Sequence, residues 1–124
     1  MDENSFELKG IPTLRILDYQ KSINFYTRYL GFTVDWEHRF EPQEPVYMQV
    51  SLQGLVLHLS ENKRFDPGVI VFVETKRIRS LHKTLCTRNK AVTPEVEATA
   101  WQTLQMEIED PAGNLLRFNE TALK

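Results

Sequence analysis

Hydrophobic and polar residues alternate through "TLRIL" (13–17), and a run rich in β-branched residues, "VIVFVE", fills 69–74; both patterns predict β-strands. Apolar positions at helical spacing follow each one. In the first, Asp18 is the capping residue, Ile23, Tyr26 and Leu30 form the stripe, and Gly31 supplies a left-handed stop. In the second, Thr75 is the cap, Ile78, Leu81 and Leu85 are the stripe, and Asn89 is the stop. Three strand-like runs come after each helix, at 32–40, 45–52 and 54–60 and again at 91–96, 102–109 and 113–119. The predicted order is βαβββ, twice.

The second half repeats the first at an offset of 59 residues. "GLVLHLSEN" (54–62) returns as "GNLLRFNET" (113–121), matching Gly54 with Gly113, Leu57 with Leu116, Leu59 with Phe118, Ser60 with Asn119 and Glu61 with Glu120. The expected fold class is α+β, with two tandem βαβββ modules at about 9–61 and 68–120 joined by the polar, turn-forming "ENKRFDPG" (61–68). Neither half hides its sheet alone. The two sheets are therefore expected to pair into one curved, cleft-forming surface with the helices outside, a single domain over 1–124.

Composition narrows the partners. The 124 residues, 41% hydrophobic and 26% charged, suit one core, and a formal charge of −2 supplies no basic field for nucleic acid. "KRIR" (76–79) reads as a short solvated face. No run reaches the roughly 18–20 apolar residues of a membrane helix. The opening "MDENSFELKG" is acidic and polar, so a cytoplasmic protein without membrane attachment is expected. Cys86 is the single cysteine, which leaves no internal disulfide and no cysteine-based metal cluster.

Strand parity sorts the side chains. Leu55, Leu57 and Leu59 belong to the helix-covered core, so Val56, His58 and Ser60 face the concavity; in the copy, Leu116 and Phe118 are core and Leu115, Arg117 and Asn119 face inward. On the second strand Phe32, Val34, Trp36, His38 and Phe40 share one side, as core or as a ligand platform, and Thr33, Asp35, Glu37 and Arg39 share the other. Leu104, Met106 and Ile108 read as core-facing, but this register does not copy the first half, which leaves room for a bulge and leaves Trp101 facing either way. His58 and Arg117 either line a ligand pocket or pair with carboxylates such as Glu107 or Glu61.

The two modules, the opening "RILDYQKSINFYTRYLGFTVDWEH" (15–38) and the closing "DPAGNLLRF" (110–118) resemble the vicinal-oxygen-chelate superfamily of glyoxalase I, extradiol dioxygenases, fosfomycin-modifying enzymes and bleomycin-resistance proteins. The likeness covers nearly the whole chain, and "VYMQVSLQGLVLHLSE" (46–61) is most similar to bleomycin-resistance-like members. In the enzymes of that superfamily a divalent metal is held by His or Glu on the first and last strands of each module, positions that carry over to Ile11, His58, Ile70 and Arg117. Two aliphatics coordinate nothing, and the guanidinium places a cation where the metal would sit.

The resemblance then implies a non-catalytic, cofactor-free homodimer that sequesters a planar or cationic, bleomycin-like drug in a cleft, as in antibiotic resistance. The expected ligand-binding residues are Trp36, His38, Phe40, Tyr47, His58, Trp101 and Arg117, with Asp35, Glu37, Glu41 and Glu44 near a cationic tail. One alternative is a metal-dependent lyase or dioxygenase with displaced ligands such as His58, His38 and a Glu; another is an interaction module with a vestigial cleft.

Overall fold

The computed structural model describes residues 3–121. The first module runs β1 (Thr13–Arg15), α1 (Tyr19–Ile23) continued by a π-helical segment (Asn24–Tyr29), β2 (Thr33–His38), β3 (Tyr47–Leu52) and β4 (Leu55–Ser60). The second runs β5 (Ile70–Glu74), α2 (Ile78–Asn89) tightening into a 3₁₀ turn (Lys90–Val92), β6 (Glu97–Ala98), β7 (Thr103–Glu109) and β8 (Leu115–Thr121). They form two four-stranded sheets, ordered β1-β4-β3-β2 and β5-β8-β7-β6. In each, the opening strand is parallel to the closing strand and every other pairing is antiparallel. This is the predicted α+β arrangement of tandem βαβββ modules.

The helix-covered faces of both sheets contribute to one continuous core. Leu14, Ile16, Met48, Val50, Leu57 and Leu59 from the first sheet join Met106, Ile108, Leu116 and Phe118 from the second, with Ile78 and Leu85 of α2. The repeat therefore matches Leu57 and Leu59 with two residues that are buried in the same way. Leu104, Met106 and Ile108 face the core, and β7 pairs with β8 without a break from Thr103 to Glu109, so the second module needs no bulge there.

What ties the modules together is the closing turn. Buried Asp110 accepts the backbone N–H groups of Ala112 and Asn114 on Oδ1, at 2.9 Å each, and the Tyr26 hydroxyl (2.7 Å) and the Asn114 amide (2.9 Å) on Oδ2. Asn114 in turn donates to the carbonyl of Arg15 at 2.8 Å and accepts from Gly68 and Val69 at 2.9 and 3.1 Å. The Asp-Pro-x-Gly-Asn motif is thus a staple joining the turn, the linker, β1 and the first helix. Each buried polar atom in it finds a partner, which is the condition under which burial does not cost stability.

Tyr26 gives this joint a pH dependence. Burial, and next the Asp110 carboxylate beside it, push its phenol far above the ordinary value of 10.0. The folded protein keeps that proton while the unfolded chain loses it above about pH 10, so this contribution is complete below that value and falls as pH rises. Urea midpoints are expected to drop between about pH 9 and about pH 11, and to drop less steeply in Tyr26→Phe. Equal slopes would rule Tyr26 out as the source.

Local signals were obeyed unevenly. Asp18 caps α1 by accepting from the Lys21 N–H at 2.9 Å, and Gly31 takes φ +96° after it, as expected. Thr75 does not cap α2, because its hydroxyl donates to the Val73 carbonyl. The helix starts two residues later, with Arg77 left-handed at φ 60°, and the free Ile78 N–H is taken by Glu120 of β8 at 2.8 Å. Asn89 is extended at φ −160° rather than left-handed. The run 91–96 makes no strand: Thr93 donates to the Asn89 carbonyl at 2.7 Å, which prolongs the helical turn, and Pro94 brings no N–H to a ladder. From the segment between α2 and β7, Glu97 and Ala98 alone pair with β7.

Candidate functional site

The site is created by a β-bulge. β2 and β3 pair Thr33 with Ser51 and Val34 with Val50, then shift register, so that Trp36 opposes Gln49 and His38 opposes Tyr47. The side-chain period of a strand is two, and one extra residue at Asp35 reverses every face after it. Phe32 and Val34 therefore stay with the core, while Trp36 and His38 cross to the inner face. The single row of five aromatic and apolar residues expected on one side of this strand is thus split in two. Asp35, expected on the opposite side from Trp36, also lies on the inner face, accepting from Gln49 Nε2 and Ser51 Oγ at 3.0 Å each.

Behind the bulge three rings gather. Trp36 and Tyr47 have centroids 5.8 Å apart, Trp36 and His58 5.3 Å, and Tyr47 and His58 5.0 Å, the last two edge-on. Trp36 keeps 41% of its surface exposed and Tyr47 36%, so the cluster forms an open platform and not a core. Tyr47 Oη lies 2.5 Å from His58 Nδ1, Thr13 Oγ1 lies 3.3 Å from Tyr47 Oη, and His58 Nε2 lies 3.0 Å from Gln49 Oε1. His58 thus has Tyr47 and Gln49 as partners, not a carboxylate. Glu61 instead takes Arg39 at 3.2 Å and the Val46 N–H at 2.9 Å.

The remaining expected residues divide. His38 packs edge-on against Phe40 at 4.8 Å, continuing the ring row toward the β2–β3 loop, where Phe40 is 86% exposed. Arg117 lies on the second sheet and is ion-paired with Glu107, between exposed Phe72 of β5 and β7. Trp101 does not join the cluster. It sits in the turn between β6 and β7 and is 67% exposed, because the short β6 leaves this segment as a loop. Of the four carboxylates, Asp35 alone has a hydrogen bond to the inner-face polar groups. Glu37 faces the helix side and accepts the Tyr19 hydroxyl at 2.5 Å, and that bond, helped by burial, pushes the Tyr19 phenol up to about 12. Glu41 and Glu44 are in the exposed loop.

Gln49, Thr13 and Ser51 were missed as site residues. The signal for Gln49 lay in the hairpin: the tight turn at Gln53 and Gly54 sets Leu52 opposite Leu55, which places Gln49 opposite His58.

The positions that would bear a metal do not suit one. Ile70 is aliphatic and exposed, Ile11 is aliphatic, Arg117 is ion-paired, and both ring nitrogens of His58 are engaged by Tyr47 and Gln49. Among the described residues no group of three or more His, Cys, Asp or Glu is placed to hold a metal ion, and His38 turns to Phe40. An open cleft of about 670 Å³ lies elsewhere, where Phe25, Tyr29 and Val92 meet Glu109 and Pro111. The inner face, with convergent rings and polar groups, is the better candidate.

Comparison with known proteins agrees with this architecture. A family model described as "Glyoxalase superfamily protein" matches residues 1–123. A bleomycin-binding protein solved in complex with bleomycin is 18% identical, with a TM-score of 0.73 over 93% of this chain and 99% of that one. A member of the glyoxalase/bleomycin resistance protein/dioxygenase superfamily from Sphaerobacter thermophilus is 22% identical, with a TM-score of 0.69 over 92% and 98%. TnmS3, an antibiotic binding protein from Streptomyces sp. CB03234, is 17% identical, with a TM-score of 0.64 over 94% and 99%. Among curated proteins none matches the chain. At these identities the solved structures establish a shared fold, and ligands do not transfer with it.

Proposed function

This chain belongs to the glyoxalase superfamily, and from that premise we propose that it is a metal-free binding protein that sequesters a planar or cationic small molecule on the inner face of its first sheet. The observation that carries the reading is the exposed Trp36–Tyr47–His58 platform with the Asp35 carboxylate on the same face. A flat heteroaromatic group stacks on such rings, and a cationic group beside it meets both the carboxylate and the ring faces. His38 and Phe40 extend the ring row, while Arg117 is paired with Glu107 on the second sheet and Trp101 lies in the turn between β6 and β7. The bleomycin-binding and antibiotic-binding proteins of the same fold support a ligand of this class.

A homodimer belongs to the same proposal. Ile70 and Phe72 are 54% and 57% exposed on the inner face of the second sheet, apolar surface that a second copy would cover. Nothing in the helices competes with this reading: among the described residues none is long and apolar enough to cross a membrane.

Fluorescence tests the ligand. The chain has two tryptophans, so Trp101→Phe leaves Trp36 as the reporter. Adding bleomycin to this variant is expected to quench its emission saturably and to raise the melting temperature. Neither response at high drug concentration would overturn the assignment of ligand class.

A further inference from the structure

The residues of the ring platform are also joined by a directed chain of hydrogen bonds, which stacking a ligand does not require. Gln49 donates its amide N–H to Asp35 at 3.0 Å, so its carbonyl oxygen is the atom that faces His58 Nε2 at 3.0 Å. Nε2 must therefore carry the imidazole proton. Nδ1 is left with its lone pair, and the Tyr47 hydroxyl 2.5 Å away donates to it, while Thr13 Oγ1, 3.3 Å from Tyr47 Oη, donates to that oxygen in turn. The donors run one way, from Thr13 through Tyr47 and His58 to Gln49 and Asp35. A hydroxyl aimed at an imidazole whose other nitrogen is fixed by a third group is the geometry of an activated nucleophile and its base.

The other tyrosines show that this is particular to Tyr47. Tyr26 and Tyr29 are buried and hydrogen-bonded to Asp110 and Thr93, and Tyr19 donates to Glu37. Only Tyr47 combines an exposed ring with a basic nitrogen as its acceptor.

We propose that Tyr47 and His58 form a metal-free nucleophile–base pair for acyl transfer from an activated ester bound on the inner face of the first sheet. This rests on that face being a ligand site. Tyr47 Oη bonds to the ester carbonyl carbon as its proton passes to His58 Nδ1; the ester C–O bond breaks, and the electron-poor phenolate of the activated ester, a better leaving group than Tyr47 itself, departs with the bonding pair. The imidazolium so formed donates through Nε2 to Gln49, whose amide is polarised by Asp35. Water then adds to the acyl-tyrosine, releasing the carboxylic acid, and the Tyr47 oxygen regains a proton. Neither step changes an oxidation state, and the ester and water are the only co-reactants.

The test uses p-nitrophenyl acetate with the intact protein. The expected result is release of p-nitrophenolate with an acetyl group found on Tyr47 by peptide mass spectrometry, ahead of the other tyrosines. His58→Phe, which keeps a ring against Trp36, should slow acetylation of Tyr47 by at least about a hundredfold, the lower end of the range for lost general-base assistance. Should that variant fail to fold, His58→Gln carries the same expectation, since its amide cannot accept the proton. Acetylation confined to lysines, or Tyr47 acetylated equally fast in wild type and in the folded His58 variant, overturns the proposal. Acetylation of Tyr47 with no response to bleomycin would overturn only the drug assignment; the reverse pattern would overturn only this one.

Discussion

Replacing Asp110 with alanine is expected to lower the unfolding free energy by about 3–5 kcal/mol, the range for removing one partner from a buried charged network. The carboxylate accepts four hydrogen bonds in a position only 4% exposed, and each donor it leaves behind is short of a partner. The fully buried Tyr26 hydroxyl would suffer most, having no water to turn to. Equilibrium urea denaturation checks this, with the neighbouring exposed Pro111→Ala as the reference, expected within about 1 kcal/mol of wild type. A loss at Asp110 no larger than at Pro111 would mean that the turn is not the staple described.

Trp36→Ala is the matching expectation for the ligand. Stacking of a flat heteroaromatic ring on an aromatic side chain is worth about 1–3 kcal/mol by alanine substitution, so the Kd for bleomycin should rise at least about fivefold. The folded state should lose under about 1 kcal/mol, because the ring is 41% exposed and sits outside the core. Isothermal calorimetry measures the first and urea denaturation the second. Trp101→Phe should leave the affinity unchanged, since Trp101 makes no ring contact with the cluster and lies in the turn between β6 and β7 of the other sheet. Equal affinities for wild type and Trp36→Ala would remove the platform from the site.

The fold was legible because it is written twice and in local terms. Leu57 and Leu59 match Leu116 and Phe118, and both pairs are buried; Asp18 and Gly31 act where their chemistry predicts. The elements that escaped are those decided by distant partners. Thr75 looks like a cap, yet the Ile78 N–H goes to Glu120, 42 residues away. Period-two reasoning read β2 as one unbroken strand, and a bulge leaves no mark in composition, so the reversal of Trp36 and His38 relative to Val34 was hidden. Rings, carboxylate and histidine were all identified as candidates from residue type. Their convergence was not, because it depends on the register shift at Asp35. Trp101 was included for its chemistry alone, and the failure of 91–96 to form a strand leaves it in a loop.

The capping of α2 by Glu120 bears on the order in which the chain acquires structure during synthesis. The first helix takes its cap from Asp18, three residues before the amide it serves, and β1 to β4 are complete by Ser60. The second helix begins at Ile78 but waits for a side chain in the final strand. As a nascent polypeptide emerges N-terminus first, the first half has all its own strands early, while the second has a frayed helix start until β8 has emerged. A stalled or truncated product ending before β8 would therefore present an uncapped trailing helix beside a first sheet still missing its core partners Leu116 and Phe118, the kind of surface that chaperones and proteases recognise.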